Sequence, residues 1–419
     1  MIDRLPVGVG TAAPIAARVR AMVTAPTAVR EVVAGIIASI ADAGDDALRM
    51  HERRFGGGEG DDLRVPADEL AAALDALDPS VRGGLEVAIE NVDAVARAGV
   101  GEDREVALPQ GHTVTLRELP VARAAVYAPG GRNPYPSTVV MGVVTARAAG
   151  VREVVVAAPA HPVILAACAL CGADEVYRMG GAQAVAALAL GTESIAPVDV
   201  IVGPGNLYVQ EAKRQLSGRV GIDGFAGPSD LLVLATTGAD PRAIALDLLA
   251  QGEHGGESLV AAVSDDDALL TAIGREVQAL DRDRPTVAAG PKVLADAYDL
   301  EGALAFAQAL APEHLQLIGE AAEALAPRIT RAGCVFVGAA SATAFGDYVA
   351  GSNHTLPTAG AARFASGLNA GHFRRRMSEV RIGAAARALA EAGVPIADAE
   401  GFPVHAESMS ARIRQNRTP

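Results

Sequence analysis

What most constrains this chain is a succession of short apolar runs separated by helix-like stretches. Residues 124–129 (AAVYAP), 151–160 (VREVVVAAPA), 173–179 (ADEVYRM) and 198–205 (VDVIVGPG) are each bounded by Gly or Pro. Strands alternating with helices at this spacing predict βαβ units and a mostly parallel sheet, because parallel neighbours need a crossover long enough to hold a helix. A comparable alternation returns in 229–236 (SDLLVLAT), 257–264 (ESLVAAVS) and 333–339 (GCVFVGA). The likeness between TARAAGVREVVVAA and LLAQGEHGGESLVAAV is too faint to establish a duplication. At 419 residues the chain is long enough for two or three domains. Aromatic residues make up only 3% and Trp is absent, so Ala, Val, Leu and Ile must build the core, as in parallel α/β proteins.

The flanks read differently. From Thr27 to about Arg54, and again over 67–99, apolar residues recur every three to four positions, which predicts an N-terminal helical layer interrupted by the acidic loop GGGEGDD. After about Leu368 the chain turns basic, and HFRRRMSEVRIGAAARALAEAG reads as helical. That tail is charged enough to lie outside a core and cover a neighbour.

A formal charge of −14, from 50 acidic and 36 basic residues, argues against nucleic acid, whose phosphates need a basic face. Pro and Gly interrupt the first residues where a signal peptide needs an apolar run, and no stretch of about 18 uncharged apolar residues occurs later, so a soluble cytoplasmic protein without a membrane partner is expected. Three cysteines, an odd number, make a disulfide framework improbable; Cys168 and Cys171 sit in HPVILAACALCGA, which reads as a buried helix packing its thiols in a core.

Four clusters carry chemistry. In ADPRAIALDLLAQGEHGG, Asp240 reads as an N-cap, Pro241 as the first helical residue and Gly255-Gly256 as the stop, so Gln251 and His254 share one face of the last turn and could reach one metal. Alone, such a pair is more often surface decoration. FGDYVAGSNHTLPT places Asp347 and His354 in a Gly-rich, Pro-stopped segment of the kind that carries catalytic groups at the ends of α/β elements, although a turn cap and a satisfied loop histidine read equally well. LAPEHLQL sets Glu313 beside His314, two groups that titrate near neutrality when partly buried, as base-assisted alcohol oxidation requires. AEGFPVH holds Glu400 and His405, and a lone tail histidine is usually inert. His51, His112, His161 and His372 read as outside the chemistry. The other four histidines each stand near an acidic or amide residue, which makes a His, Asp and Gln site plausible and suits zinc.

No G-x-G-x-x-G follows a strand, and Gly8-Val9-Gly10 follows none. Gly-rich turns do follow the apolar runs, in VYAPGG, MGGAQA, IVGPGN and GFAGPSD, where backbone N–H groups can approach a phosphate-bearing ligand.

Taken together, VYAPGGRNPYPSTVVMG, GGAQAVAALALGTESI, VDVIVGPGNLYVQEAKRQLSG, VGIDGFAGPSDLLVLA, LLAQGEHG, APEHLQL, GDYVAGSNHTLPT, ARFASGL and AEGFPVHAESM resemble the histidinol dehydrogenase family, in its order and over nearly the whole chain. The resemblance implies two α/β lobes of incomplete dinucleotide-binding type with mostly parallel sheets and helical N- and C-terminal extensions. The expected divisions are 1–26 for the N-terminal extension, 27–126 with 230–368 for the metal and catalytic lobe, 127–229 for the NAD lobe and 369–419 for a C-terminal extension at a homodimer interface. It implies one Zn2+ per subunit on Gln251, His254, Asp347 and His405, the last reaching across from the other subunit, so that active sites are shared. It implies Glu313 and His314 as the acid/base pair, and Ser229, His354 and Glu400 as substrate contacts alongside His314 and the four metal ligands. Tyr127, Gln183 and Asn206 match NAD-contacting positions. The implied reaction is the oxidation of L-histidinol through the aldehyde to L-histidine, with the same chemistry on a sulfonated propanediol as the alternative. A sulfonate would call on extra cations, for which Arg132 or Arg363 could serve; Glu400 and His354 favour an amino, imidazole substrate. A non-catalytic paralogue should have lost a ligand or acid/base residue, and none is lost. A zinc hydrolase would need an open metal position and no nucleotide. Departures from the family pattern are Asp230 where Glu is common, Gly252 for Ala and Arg375 for Lys, and none removes a catalytic group.

Overall fold

The computed structural model describes residues 2–23, 29–55, 62–130, 133–225 and 227–415. Its strands are β1 (Asp3–Val7), β2 (Arg104–Ala107), β3 (Thr113–Pro120), β4 (Arg123–Tyr127), β5 (Glu153–Ala158), β6 (Glu175–Arg178), β7 (Val200–Val202), β8 (Gly221–Ile222), β9 (Asp230–Ala235), β10 (Leu259–Ser264), β11 (Lys292–Ala297), β12 (His314–Ile318), β13 (Cys334–Val337) and β14 (Arg374–Arg381). They form a six-stranded sheet in the order β1-β11-β10-β9-β12-β13, a five-stranded sheet β6-β5-β4-β7-β8 and a three-stranded sheet β14-β3-β2. The first two are parallel throughout and the third is antiparallel. This is an α/β fold with mostly parallel sheets, as the sequence predicts.

The described chain divides into two compact units, Met1–Gly99 with Ala122–Phe373, and Val100–Val121 with Arg374–Pro419. The first unit holds both parallel sheets. In the six-stranded sheet β9, β10 and β12 are buried at every position, which explains why they read as continuous apolar runs without alternation. Successive side chains point to opposite faces. Leu232, Leu234, Ala261, Val263, Leu315 and Leu317 pack with the helices Ala12–Arg20 and Leu300–Leu310. Leu231, Val233, Val260, Ala262 and Ile318 face the helices Pro241–Gly252 and Asp267–Asp281. Asp240 caps Pro241–Gly252 by accepting from the Arg242 N–H at 2.9 Å, and the following Pro fits a position whose N–H has no helical partner.

The five-stranded sheet packs one face on the helices Arg30–Phe55, Gly181–Leu190 and Leu207–Leu216. The opposite face meets the helix Pro136–Ala148 so closely that a Cβ on Gly142 would lie 2.5 Å from Val126 Cγ1. Helix Arg30–Phe55 accounts for the N-terminal periodicity, with a break at Gly44 (φ 47°, ψ −124°); Thr27 and all of the acidic loop but Asp62 fall outside the described residues. Cys168 is fully buried on the helix Pro162–Cys171 and all three thiols are free; burial pushes Cys168 far above its ordinary pKa and Cys171 to about 12, in keeping with core packing.

Two flanking segments differ from the expected helical extensions. Residues 3–7 form an integral strand, β1, paired along its length with β11, because Leu5 and Val7 complete the core beside Ala295 and Ala297. Residues 374–381, read as helical, form β14. There RRRMSEVR pairs antiparallel with β3, and opposite charges meet across the strands: Arg376 and Glu118 stand directly opposite and ion-pair, and Arg117 pairs with Glu379 at 3.4 Å. Cross-strand partners, invisible in a one-dimensional reading, decide the conformation. Residues 100–121 likewise group with 374–419. The second unit closes with the helices Ala386–Ala399 and Pro403–Gln415.

Candidate active site

The first strand residue of β9 is Asp230 and that of β12 is His314, so Ser229, Asp230, Glu313 and His314 meet at the amino edge of two adjacent strands. Helix Pro241–Gly252 runs back from the carboxyl end of β9 and delivers Gln251 to the same edge; its carboxamide donates to Ser229 Oγ at 2.5 Å. The Ser229 hydroxyl in turn donates to Glu313 Oε2 at 2.5 Å, which also accepts the Asp230 N–H at 3.0 Å. This line of donors spends the Gln251 NH2 group on Ser229 and leaves Oε1 as the amide's acceptor. His254 lies just past the helix end, and the short helix Thr343–Tyr348 brings Asp347 between two imidazoles, with Oδ2 3.8 Å from His254 Nε2 and Oδ1 3.9 Å from His314 Nε2.

Burial sets the charges. It pushes Asp230 up to about 7, helped by the nearby Glu313, and pushes Glu313 up to about 7 against its hydrogen bonds from Ser229 and Asp230. His314 is lowered by burial, against the pull of Asp347, and is therefore neutral at pH 7. Its Nδ1 stands 3.3 Å from the Asp230 carbonyl, a partner that can only accept, which assigns the proton to Nδ1 and leaves Nε2 basic. His254 is raised, chiefly by Asp347, and Asp347 is lowered because the neighbouring histidines outweigh its burial. His354 Nε2 is buried without a hydrogen-bond partner among the described residues.

Geometry decides whether this donor set suits zinc. Among the described residues no three His, Cys, Asp or Glu side chains are grouped as a metal-holding set. The expected ligands on this unit are an amide, one imidazole and one carboxylate, so that grouping is not required of them. His254 Nε2 and Asp347 Oδ2, at 3.8 Å, are too far apart for a hydrogen bond and near the roughly 3.4 Å that two ligands span across a tetrahedral zinc. The carboxyl end of helix Pro241–Gly252 adds a negative dipole terminus beside them, worth roughly 0.3–1 kcal/mol to a cation. These residues fit the metal.

A second feature lies in the five-stranded lobe. A cavity of about 650 Å³ opens at the carboxyl ends of β4, β6 and β7, lined among others by His51, Phe55, Tyr127, Gln183, Asn206 and Tyr208. The strand order reverses direction at β4, and crevices at such switch points are the usual ligand sites of open parallel sheets. Gly130, Gly180, Gly181 and Asn206, from three of the four Gly-rich turns, form its wall. The fourth turn leads instead to Ser229.

Comparison with known proteins decides the family. The histidinol dehydrogenase family model matches residues 20–413. A histidinol dehydrogenase of Thermobifida fusca is 41% identical over 431 residues, covering 99% of this chain and 98% of its own, and one of Leifsonia xyli is 41% identical over 402 residues, covering 92% of each. The chain belongs to the histidinol dehydrogenase family. A crystal structure of histidinol dehydrogenase from Elizabethkingia anophelis superposes with a TM-score of 0.92 at 29% identity, covering 100% of this chain and 99% of that one. Membership of this family makes the protein a dehydrogenase.

For this dehydrogenase the structure draws Ser229, Gln251, His254, Glu313, His314 and Asp347 into one cluster, with His354 facing Asp347 electrostatically. It brings Tyr127, Gln183 and Asn206 to one cavity. Glu400 and His405 belong to the second unit, where Glu400 caps the helix Ala386–Ala399 and His405 lies on Pro403–Gln415, its ring 5.3 Å from Phe402. Arg132 lies outside the described residues, and Arg363 donates to the Gly360 carbonyl. His51, read as outside the chemistry, is buried, bonds to Ser39 Oγ at 2.7 Å, stacks on Phe55 and lines the cavity. Its helix carries charged residues on the buried side as well as the exposed one, so charge pattern alone does not tell which side faces the sheet. Asp230, in the sequence only a departure from the family pattern, is a buried partner of Glu313. Glu52 is a residue that sequence reasoning misses; it accepts from Gly180 N–H and the Gln183 carboxamide, both at 3.0 Å, behind the cavity wall. A glutamate in MHERRF gives no sign of this, because its partner is 131 residues away.

Proposed function

We propose that this chain oxidises L-histidinol through L-histidinaldehyde to L-histidine, the closing steps of histidine biosynthesis, with NAD and zinc. The observation that carries the reading is His314, neutral and anchored through Nδ1 on the Asp230 carbonyl, with its basic Nε2 turned toward the Asp347 carboxylate that also faces His254. Gln251, His254 and Asp347 would hold the metal, with His405 supplied by a second copy of the chain in a homodimer. Zinc, when bound, supplies a Lewis acid that holds and polarises the substrate. NAD, when bound in the cavity lined by Tyr127, Gln183 and Asn206, supplies the hydride acceptor for both oxidations.

The rest is the work of side chains. His314 Nε2 takes the hydroxyl proton as the alcohol carbon loses hydride. Glu313, whose pKa near 7 lets it accept and return a proton at neutral pH, draws a proton from water as that water adds to the aldehyde, and the hydrate then loses the second hydride. Ser229 holds Glu313 in place, while the unpartnered Nε2 of His354, with Glu400 of the second copy, would meet the polar groups of the substrate. A site that keeps the aldehyde between steps avoids releasing a reactive intermediate. No helix among the described residues is long and apolar enough to cross a membrane, which fits the proposed cytoplasmic setting.

The test counts NADH at 340 nm per L-histidinol consumed by zinc-loaded protein. Two equivalents support the reading. One equivalent removes the aldehyde step, and turnover of a sulfonated propanediol in place of histidinol overturns the substrate.

A further inference from the structure

Lys213 and Asp223 form an ion pair almost entirely out of solvent, their side chains 1% and 6% exposed. Lys213 comes from the helix Leu207–Leu216 and Asp223 comes directly after β8. Both close on one residue at the end of β7, holding the peptide groups on either side of its Cα: Lys213 Nζ donates to the Gly203 carbonyl at 3.0 Å, and the Gly203 N–H donates to Asp223 Oδ2 at 2.7 Å. Gly203 has φ +116°, and a Cβ there would stand 2.1 Å from the Tyr127 carbonyl oxygen. The backbone is thus pressed against the last residue of β4 on one side and gripped by two opposite charges on the other.

The grip matters because the chain leads from Gly203 straight to the cavity. Three residues on, Asn206 caps the helix by accepting from the Tyr208 and Val209 N–H groups at 3.0 and 3.2 Å. Asn206 and Tyr208 are both cavity wall, as is Tyr127. A buried ion pair is a poor way to add stability, since desolvation offsets most of the attraction and apolar residues of similar volume often serve as well or better.

We propose that Lys213 and Asp223 are positioning residues for the dinucleotide: by fixing the backbone on both sides of Gly203 they set where Asn206 and Tyr208 stand in the wall of the cavity. The inference rests on the reading that this cavity takes NAD. It concerns neither the acid/base cluster nor the metal, so its signature is confined to nucleotide affinity.

The test replaces both charges together, Lys213→Met with Asp223→Leu, in the zinc-loaded full-length protein, and measures the Kd and KM for NAD, kcat at saturating NAD and the melting temperature. The expected result is a rise of about tenfold or more in Kd and KM with kcat held within about twofold. An affinity within twofold of the parent, whatever the melting temperature does, overturns the proposal. Should the double variant fail to fold, Asp223→Asn decides by the same split, since its amide oxygen still accepts from Gly203 while the anion is gone. Asn206→Ala and Tyr208→Ala separate the two claims. If neither weakens NAD binding, the cavity reading itself fails; if both weaken it and the clamp variants do not, only the clamp fails.

Discussion

Asp230 and Glu313 hold each other through reciprocal backbone bonds: the Glu313 N–H donates to Asp230 Oδ1 at 2.8 Å and the Asp230 N–H donates to Glu313 Oε2 at 3.0 Å. Two buried carboxyls on neighbouring strands are thereby fixed, and both are pushed up to about 7. A carboxyl whose pKa is raised on folding favours the protonated native state, so its contribution is full below the unfolded value of about 4 and is lost as pH rises through 7. The melting temperature of the metal-free protein should therefore fall between pH 5 and 7.5. Glu313→Gln, with one such group fewer, should show a flatter slope; an unchanged slope would refute the assignment.

In the proposed mechanism His314 takes the first proton through Nε2, with Nδ1 committed to the Asp230 carbonyl. His314→Ala should lower kcat for histidinol by about 10²–10⁴, the usual contribution of a positioned base. The KM for NAD should stay near the parent value, because the imidazole belongs to the cluster on the six-stranded sheet and the cavity to the five-stranded one. A variant that loses NAD affinity instead would place His314 in a different role.

Much of the fold is legible in the chain, for physical reasons that also mark where legibility ends. β4, β5, β7, β9 and β10 stand out because strands buried on both faces are short, apolar and punctuated, the edge strands β6 and β13 because their apolar runs stop at Gly, and Asp240-Pro241 announces a helix start through local chemistry alone. β12 is hidden because HLQLI reads as a catalytic dipeptide with a tail. β14 is hidden because its pairing partner lies more than 250 residues away. The same holds for the site. Adjacent Glu313 and His314 can be noticed as a dipeptide, whereas Asp230, Glu52 and the Lys213–Asp223 pair owe their roles to distant segments that only the fold brings together.

Gln316, two residues after His314, is fully buried and donates to Asp247 Oδ2 at 2.8 Å and to the Ser341 carbonyl at 3.1 Å. It links β12 to the helix bearing Gln251 and to the turn before the helix bearing Asp347. Gln316→Leu leaves both acceptors without this donor and should cost about 1–3 kcal/mol in denaturant unfolding. A loss below about 0.5 kcal/mol, within the usual range of surface changes, would mean that the link is slack.

Tyr127 accepts the Gly181 N–H on its hydroxyl at 3.0 Å, and Gln183 is tied to Glu52. Gln183→Ala removes one donor from the buried Glu52, whose pKa burial already raises, and opens the cavity wall. The KM for NAD should rise about tenfold with little change in kcat, as expected when binding common to ground and transition states is lost. An unchanged KM would remove Gln183 from the nucleotide contacts.

Metal binding should carry the protonation signature of His254. Its pKa is raised above the ordinary histidine value, chiefly by Asp347, and only the neutral imidazole can ligate zinc. Protons therefore compete with zinc at higher pH than they would at an ordinary histidine, and the zinc affinity should fall by about tenfold for each pH unit below that pKa. Chelator competition between pH 8 and 6 measures this directly, without recourse to turnover. Asp347→Asn should weaken zinc at every pH and also shift the midpoint of the loss downward, since the negative charge that favours protonated His254 is gone. A zinc affinity indifferent to both pH and Asp347 would show that the metal binds elsewhere.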